Sequence, residues 1–151
     1  MSDLIFFEKN KCKINNDIYT CAYGKGGIVM DKIEGDGGTP IGTFPLRQVF
    51  YRPDRISAPK TMLPVIPLTP KMGWCDDISN PMYNQLVTLP YAGRHELLWR
   101  DDHVYDVILV VGYNDDPIIP GKGSAIFIHL MRENYQPTQG CLAFSMPNLC
   151  D

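Results

Sequence analysis

The chain has 151 residues, of which 44% are hydrophobic and 21% charged, with a formal net charge of −3. That length suits one domain able to bury a core, and the charge balance excludes the basic footprint of a nucleic-acid binder. No apolar run approaches the ~20 residues that span a bilayer, and the scattered Lys and Arg argue against docking on an anionic membrane surface.

The first residues, Met1-Ser2-Asp3-Leu4-Ile5-Phe6-Phe7-Glu8, lack the basic start and long apolar core of a secretory signal. Leu4 to Phe7 reads as a strand. Cys12 to Ile14 and Ile18 to Tyr23 read as a hairpin around Asn15-Asn16-Asp17. Gly24-Lys25-Gly26-Gly27 is a flexible turn, not a phosphate loop, since no Gly-Lys-Ser/Thr ending and no helix pattern follow. Thr43 to Tyr51 carries β-type residues. From Arg52 to Pro70, prolines at 53, 59, 64, 67 and 70 impose extended, irregular chain. Trp74 to Asn84 reads as a polar surface loop, Gln85 to Leu89 as a short strand, and His95 to Trp99 as one or two helical turns. Val104 to Gly112 is the clearest strand, its continuous apolar end suggesting burial on both faces. Ala125 to Met131 is a second such strand, and Pro147 opens a short helix. With no repeat, low-complexity tract or linker, residues 1–151 read as a single mainly β (β-rich α+β) domain with short helices.

Five cysteines, Cys12, Cys21, Cys75, Cys141 and Cys150, form no C-x-x-C pair and are too few for a disulfide scaffold. Cys12 and Cys21 read as small apolar fillers, and Cys75 as a thiol on an exposed loop. Cys141 is different. It follows the turn Thr138-Gln139-Gly140, twelve residues after His129, which ends the run Ile126-Phe127-Ile128. A thiol is a weak nucleophile until a base takes its proton, and an imidazole can do so near neutral pH. Gly140 permits a tight turn and leaves backbone N–H groups uncovered for an oxyanion. His129 and Cys141 are therefore the expected catalytic pair, with the thiol expected to be the most acidic and the most reactive of the five.

The chain is similar to the YkuD-type L,D-transpeptidases, which carry a histidine and then a Ser/Thr-x-Gly-Cys segment. Gly35-Asp36-Gly37-Gly38-Thr39-Pro40-Ile41-Gly42-Thr43-Phe44-Pro45-Leu46 resembles that family's Gly/Thr-Pro-x-Gly-x-Phe segment. Gly73-Trp74-Cys75-Asp76-Asp77 and Gly112-Tyr113-Asn114-Asp115-Asp116-Pro117 resemble blocks of one bacterial branch. Gln139 stands where the family often has His or Ser, and Ala143 where it usually has Arg or Asn. The chain stops ten residues after Cys141, where relatives usually continue through a helix and a final strand, so the expectation is either a shortened copy or an unusual C-terminal packing.

The resemblance implies a mixed β-sandwich and a cysteine acyltransferase that cross-links peptidoglycan. The cysteine attacks a stem tetrapeptide at the carbonyl of its third residue, releases D-alanine, and passes the acyl group to an amine. Oxyanion and substrate contacts are expected from Gly140, Gln139, Thr138, Asn114 and Trp74. Asp76 and Asp77 also face the cleft or else cap a surface loop, and Tyr113 and Tyr135 pack on substrate or are half-buried. The group orienting His129 is a backbone carbonyl, as is frequent in the family, or a side chain among Asn114, Asp115 and Asp116, whose Asn-Asp-Asp-Pro run also reads as an Asx turn. His95 and His103 have no partner at metal spacing, so no metal and no cofactor is expected. The expected partners are peptidoglycan stem peptides, with no nucleic acid and no membrane span, for a monomer in the cell envelope or periplasm; the lack of a signal leaves a cytoplasmic site open. Two alternatives remain: an L,D-carboxypeptidase or amidase using the same Cys and His, and a non-catalytic wall-binding module.

Overall fold

Strand pairing builds this chain. The computed structural model describes residues 4–8, 11–14, 17–42, 44–130, 138 and 140–144, and among them are thirteen strands and no helix. In chain order they are β1 (Leu4–Glu8), β2 (Lys11–Ile14), β3 (Asp17–Ala22), β4 (Ile28–Val29), β5 (Thr39–Pro40), β6 (Leu46–Tyr51), β7 (Val65–Pro67), β8 (Met72–Cys75), β9 (Leu86–Thr88), β10 (His95–Leu97), β11 (Val107–Val111), β12 (Phe127–Leu130) and β13 (Leu142–Phe144). The main sheet has the order β1-β2-β3-β13-β12-β11-β6-β7; β10-β8-β9 form a second sheet and β4-β5 a third.

Alternation along the central strands makes the two faces of the main sheet. Ile108, Val110, Phe127 and Cys141 join a core with Phe50, Leu68, Trp74, Leu98, Val104 and Tyr105. Leu142, Ile128 and Cys21 form a smaller cluster, packed by Leu109 and Val111. β12 is buried at all four residues, so even its one polar side chain, His129, lies inside the fold. It pairs antiparallel with β11 and parallel with β13, in the registers Ile108↔His129 and His129↔Ala143. The parallel pairing sets Cys141, just before β13, beside Phe127.

Several expectations are corrected. His95 to Leu97 is strand β10, not a helical turn, because it pairs with β8 in the register His95↔Cys75. Trp74 and Cys75 lie inside β8, not on a surface loop, and Cys75 is 0% exposed. The strand expected from Val104 begins at Val107. Val104 to Asp106 is instead a turn, tied down where Asp106 accepts hydrogen bonds from Arg55 Nη1 and, at 2.7 Å, from His103 Nδ1. Cys150 and the helix expected at Pro147 lie outside the described residues.

Candidate active site

The Thr138–Cys141 turn is built from backbone. Thr138 bridges to Gly24 in parallel; Lys25 N–H donates to Thr138 O at 2.7 Å, and Thr138 N–H to Tyr23 O at 3.0 Å. Gly140 sits at φ +129°, where a Cβ would lie 2.9 Å from Gly38 O, so only glycine fits without a shift. The Thr39 hydroxyl accepts from Gly24 N–H at 2.8 Å and donates to Gly140 O at 2.9 Å. The Thr138 hydroxyl accepts from Gly140 N–H at 3.1 Å and donates to Cys141 O at 2.5 Å.

Cys141 is buried, and its thiol donates to Ala125 O at 3.0 Å while accepting from Phe127 N–H at 3.3 Å. Burial, with the Glu96 charge second, pushes the thiol up to about 12; Phe127 N–H and Lys32 pull the other way. The resting thiol is therefore neutral, in contrast to the acidic thiol expected from the sequence. His129 is also buried, and its Nδ1–H donates to Leu130 O at 2.8 Å. That bond leaves Nε2 as the basic nitrogen. A backbone carbonyl thus fixes the imidazole. The Tyr105 ring meets the His129 ring edge-on at 5.4 Å, and its hydroxyl donates to Glu96. Burial holds the Glu96 carboxyl above its ordinary value and the Tyr105 phenol well above its own.

One layer back stands Asn84, at φ 58° and 6% exposed. Its Oδ1 accepts from Trp74 Nε1 at 2.9 Å and from Ala125 N–H at 3.1 Å, and its Nδ2 donates to Tyr113 O and Asn114 O. Ala125 itself lies at φ 53°, in the left-handed region that alanine rarely adopts. The carbonyl that holds the thiol therefore belongs to a residue pinned from behind.

His129, Thr138 and Cys141 line one cavity of about 420 Å³, together with Glu34, Asp76, Arg94, Glu96 and Arg100. Glu34 accepts from Tyr83 OH at 2.7 Å and from Ser124 OH at 2.6 Å, and Asp76 pairs with Arg94. Trp74 and Asn114, expected at the substrate, do not line this cavity. Trp74 borders a second cavity of about 410 Å³, which Tyr113 also lines. Asn114 closes its own loop, donating to Ile119 O at 2.9 Å and Gly123 O at 3.0 Å. Asp115 pairs with Arg47, and Asp77 caps Ser79. Gln139 and Tyr135 lie outside the described residues. The charged wall went unread in the sequence; its one local signal is Lys32-Ile33-Glu34-Gly35-Asp36, charges spaced by two just ahead of the Thr39-Pro40 block.

The YkuD family model, described as the L,D-transpeptidase catalytic domain, matches residues 3–149. No curated protein and no solved structure matches the chain.

Proposed function

We infer that this chain, which belongs to the YkuD family of L,D-transpeptidase catalytic domains, is a cysteine acyltransferase that cross-links peptidoglycan stem peptides. The observation that carries this reading is that a buried histidine with its Nδ1–H committed to a carbonyl and a buried cysteine after a Gly turn line the same cavity. His129 Nε2 takes the Cys141 proton as the sulfur attacks the peptide carbonyl. The C–S bond forms, the carbonyl oxygen gains the negative charge, and the backbone N–H of Cys141 stabilises it, joined by that of Gly140 once it turns from the Thr138 hydroxyl. The C–N bond then breaks, and His129 returns the proton to the departing D-alanine amine. An acceptor amine attacks the thioester, His129 takes its proton, and the thiol leaves protonated. Thr138, which lines the same cavity, flanks the acyl group.

A neutral resting thiol makes the base obligatory. The nucleophile appears only as the proton leaves, with the substrate in place and water displaced. We assign the chain to the cell envelope, where stem peptides lie, as a single monomeric domain over residues 1–151.

The test is incubation of purified protein with a disaccharide-tetrapeptide and an acceptor amine, followed by mass analysis. Amine-linked product with D-alanine released supports transpeptidation. D-alanine released with only hydrolysed tripeptide assigns a carboxypeptidase instead, and no turnover removes both readings.

A further inference from the structure

A lysine buried behind the nucleophile turn has no part in the reaction just described. Lys32 is 4% exposed, and its Nζ donates to Asp36 Oδ1 at 2.7 Å. Isolated buried ammonium groups are costly, so one kept charged beside a carboxylate needs a reason. Its surroundings supply one. The stem threads between two glycines: a Cβ on Gly123 would lie 2.8 Å from Lys32 Cε, and a Cβ on Gly140 would lie 3.5 Å from Lys32 Nζ. Gly140 precedes the nucleophile. Gly123 lies two residues before Ala125, whose carbonyl holds the thiol proton. Asp36 Oδ1 also accepts from Gly38 N–H at 2.8 Å, and Gly38 O presses on the Gly140 position. One ion pair thus touches the turn from behind twice, through the ammonium and through Gly38.

We propose that Lys32 is a positioning residue for Cys141, its ammonium stabilising negative charge on the sulfur while the Asp36 pair braces the Gly140 turn. The inference rests on the reading of Cys141 as the nucleophile. The other charged or titratable groups around the thiol are His129 on β12, Glu96 on β10 with Tyr105 against it, and, on the cavity wall, Glu34, Asp76, Arg94 and Arg100. Glu96 opposes thiolate formation and Lys32 favours it, so Lys32 offsets the Glu96 charge. Asp36, closer to Lys32 than to the sulfur, reduces that effect.

The experiment is the rate of Cys141 alkylation by a neutral thiol reagent from pH 6 to 10, followed by peptide mapping, in the full chain. Lys32→Met should slow alkylation about tenfold across this range, as a thiol pKa raised by about one unit requires. Asp36→Asn keeps the shape and the ammonium but deletes the countercharge, and should speed it. A merely structural brace would move both variants in one direction, by loosening the turn. Opposite shifts support the proposal; shifts of the same sign, or none, overturn it. If Lys32→Met does not fold, Asp36→Asn decides alone: faster alkylation supports the proposal, and an unchanged or slower rate overturns it. Alkylation needs no peptide substrate, so this outcome is separable from failure of the transpeptidase reading, which turnover by Cys141→Ala decides.

Discussion

The Cys141 thiol donates its proton to Ala125 O at 3.0 Å, and Ala125 N–H is held by Asn84 at 3.1 Å. The Cys141 sulfur is therefore parked on a carbonyl whose residue is pinned in left-handed backbone. Two consequences follow, one for the alkaline behaviour of the fold and one for the residues behind the site.

The thiol is pushed from 9.0 up to about 12 in the folded chain, by burial first. The neutral form is thus favoured by folding. That contribution is complete below pH 9 and is lost as pH rises toward about 12. Cys141→Ala should lose stability less steeply over this window, the difference reaching about 3 kcal/mol by about pH 11 at ~1.4 kcal/mol per pH unit. Tyr91, also raised to about 12, titrates equally in both proteins. Denaturant unfolding of the pair between pH 8 and 11 measures it; parallel curves would show a thiol that ionises as freely folded as unfolded.

Asn84→Ala orphans the Trp74 and Ala125 N–H groups and two carbonyls, and puts alanine at φ 58°. With about 1–3 kcal/mol for each of the four buried groups left unpaired, the loss should be at least about 4 kcal/mol, with most activity gone as Ala125 shifts. Asn84→Asp keeps the acceptor for Trp74 and Ala125 and should cost less. A urea midpoint unchanged in Asn84→Ala would show that Ala125 is held by something else.

His129→Gln removes the base while the amide can still donate toward Leu130 O. The rate should fall by about 10²–10⁴, and the acid limb of the pH–rate profile should vanish, since its apparent pKa values belong to the Cys–His pair. Stopped-flow acylation by a carbapenem across pH 5–9 reads both effects. An intact acid limb in this variant would assign the proton transfer to another group.

Gly140→Val places a branched side chain at φ +129° and 2.9 Å from Gly38 O. The turn must move, and with it the backbone N–H groups proposed to bind the oxyanion. Loss of one such donor costs ~10²–10³ in rate, and Gly140→Val should lose at least that in both transfer and carbapenem opening while remaining folded by circular dichroism. Retention of both activities would put the oxyanion site elsewhere.

Much of this was legible in the sequence, because the central strands announce themselves. Val107 to Val111 is an unbroken apolar run, Phe127 to Leu130 is broken only by His129, and the Gly140-Cys141 turn carries its conformational requirement in its glycine. What was not legible depends on pairing at a distance. His95 and Leu97 look like a helical turn until β8 is laid beside them. Trp74 reads as a cleft residue until Asn84 takes its indole N–H from ten residues away. Glu96 and Arg100 reach the cavity only because the second sheet and the turn before β11 fold against β12. The acidity of Cys141 is likewise a property of burial, which no local spacing records: the motif names a nucleophile, while the packing sets it neutral.

The most direct measurement is the mass of the protein trapped with a stem tetrapeptide in the absence of acceptor, followed by peptide mapping. The account predicts an adduct equal to the tetrapeptide less D-alanine, carried as a thioester on Cys141, absent in Cys141→Ala and discharged by added amine. An adduct on another residue, or turnover that persists in Cys141→Ala, would contradict it.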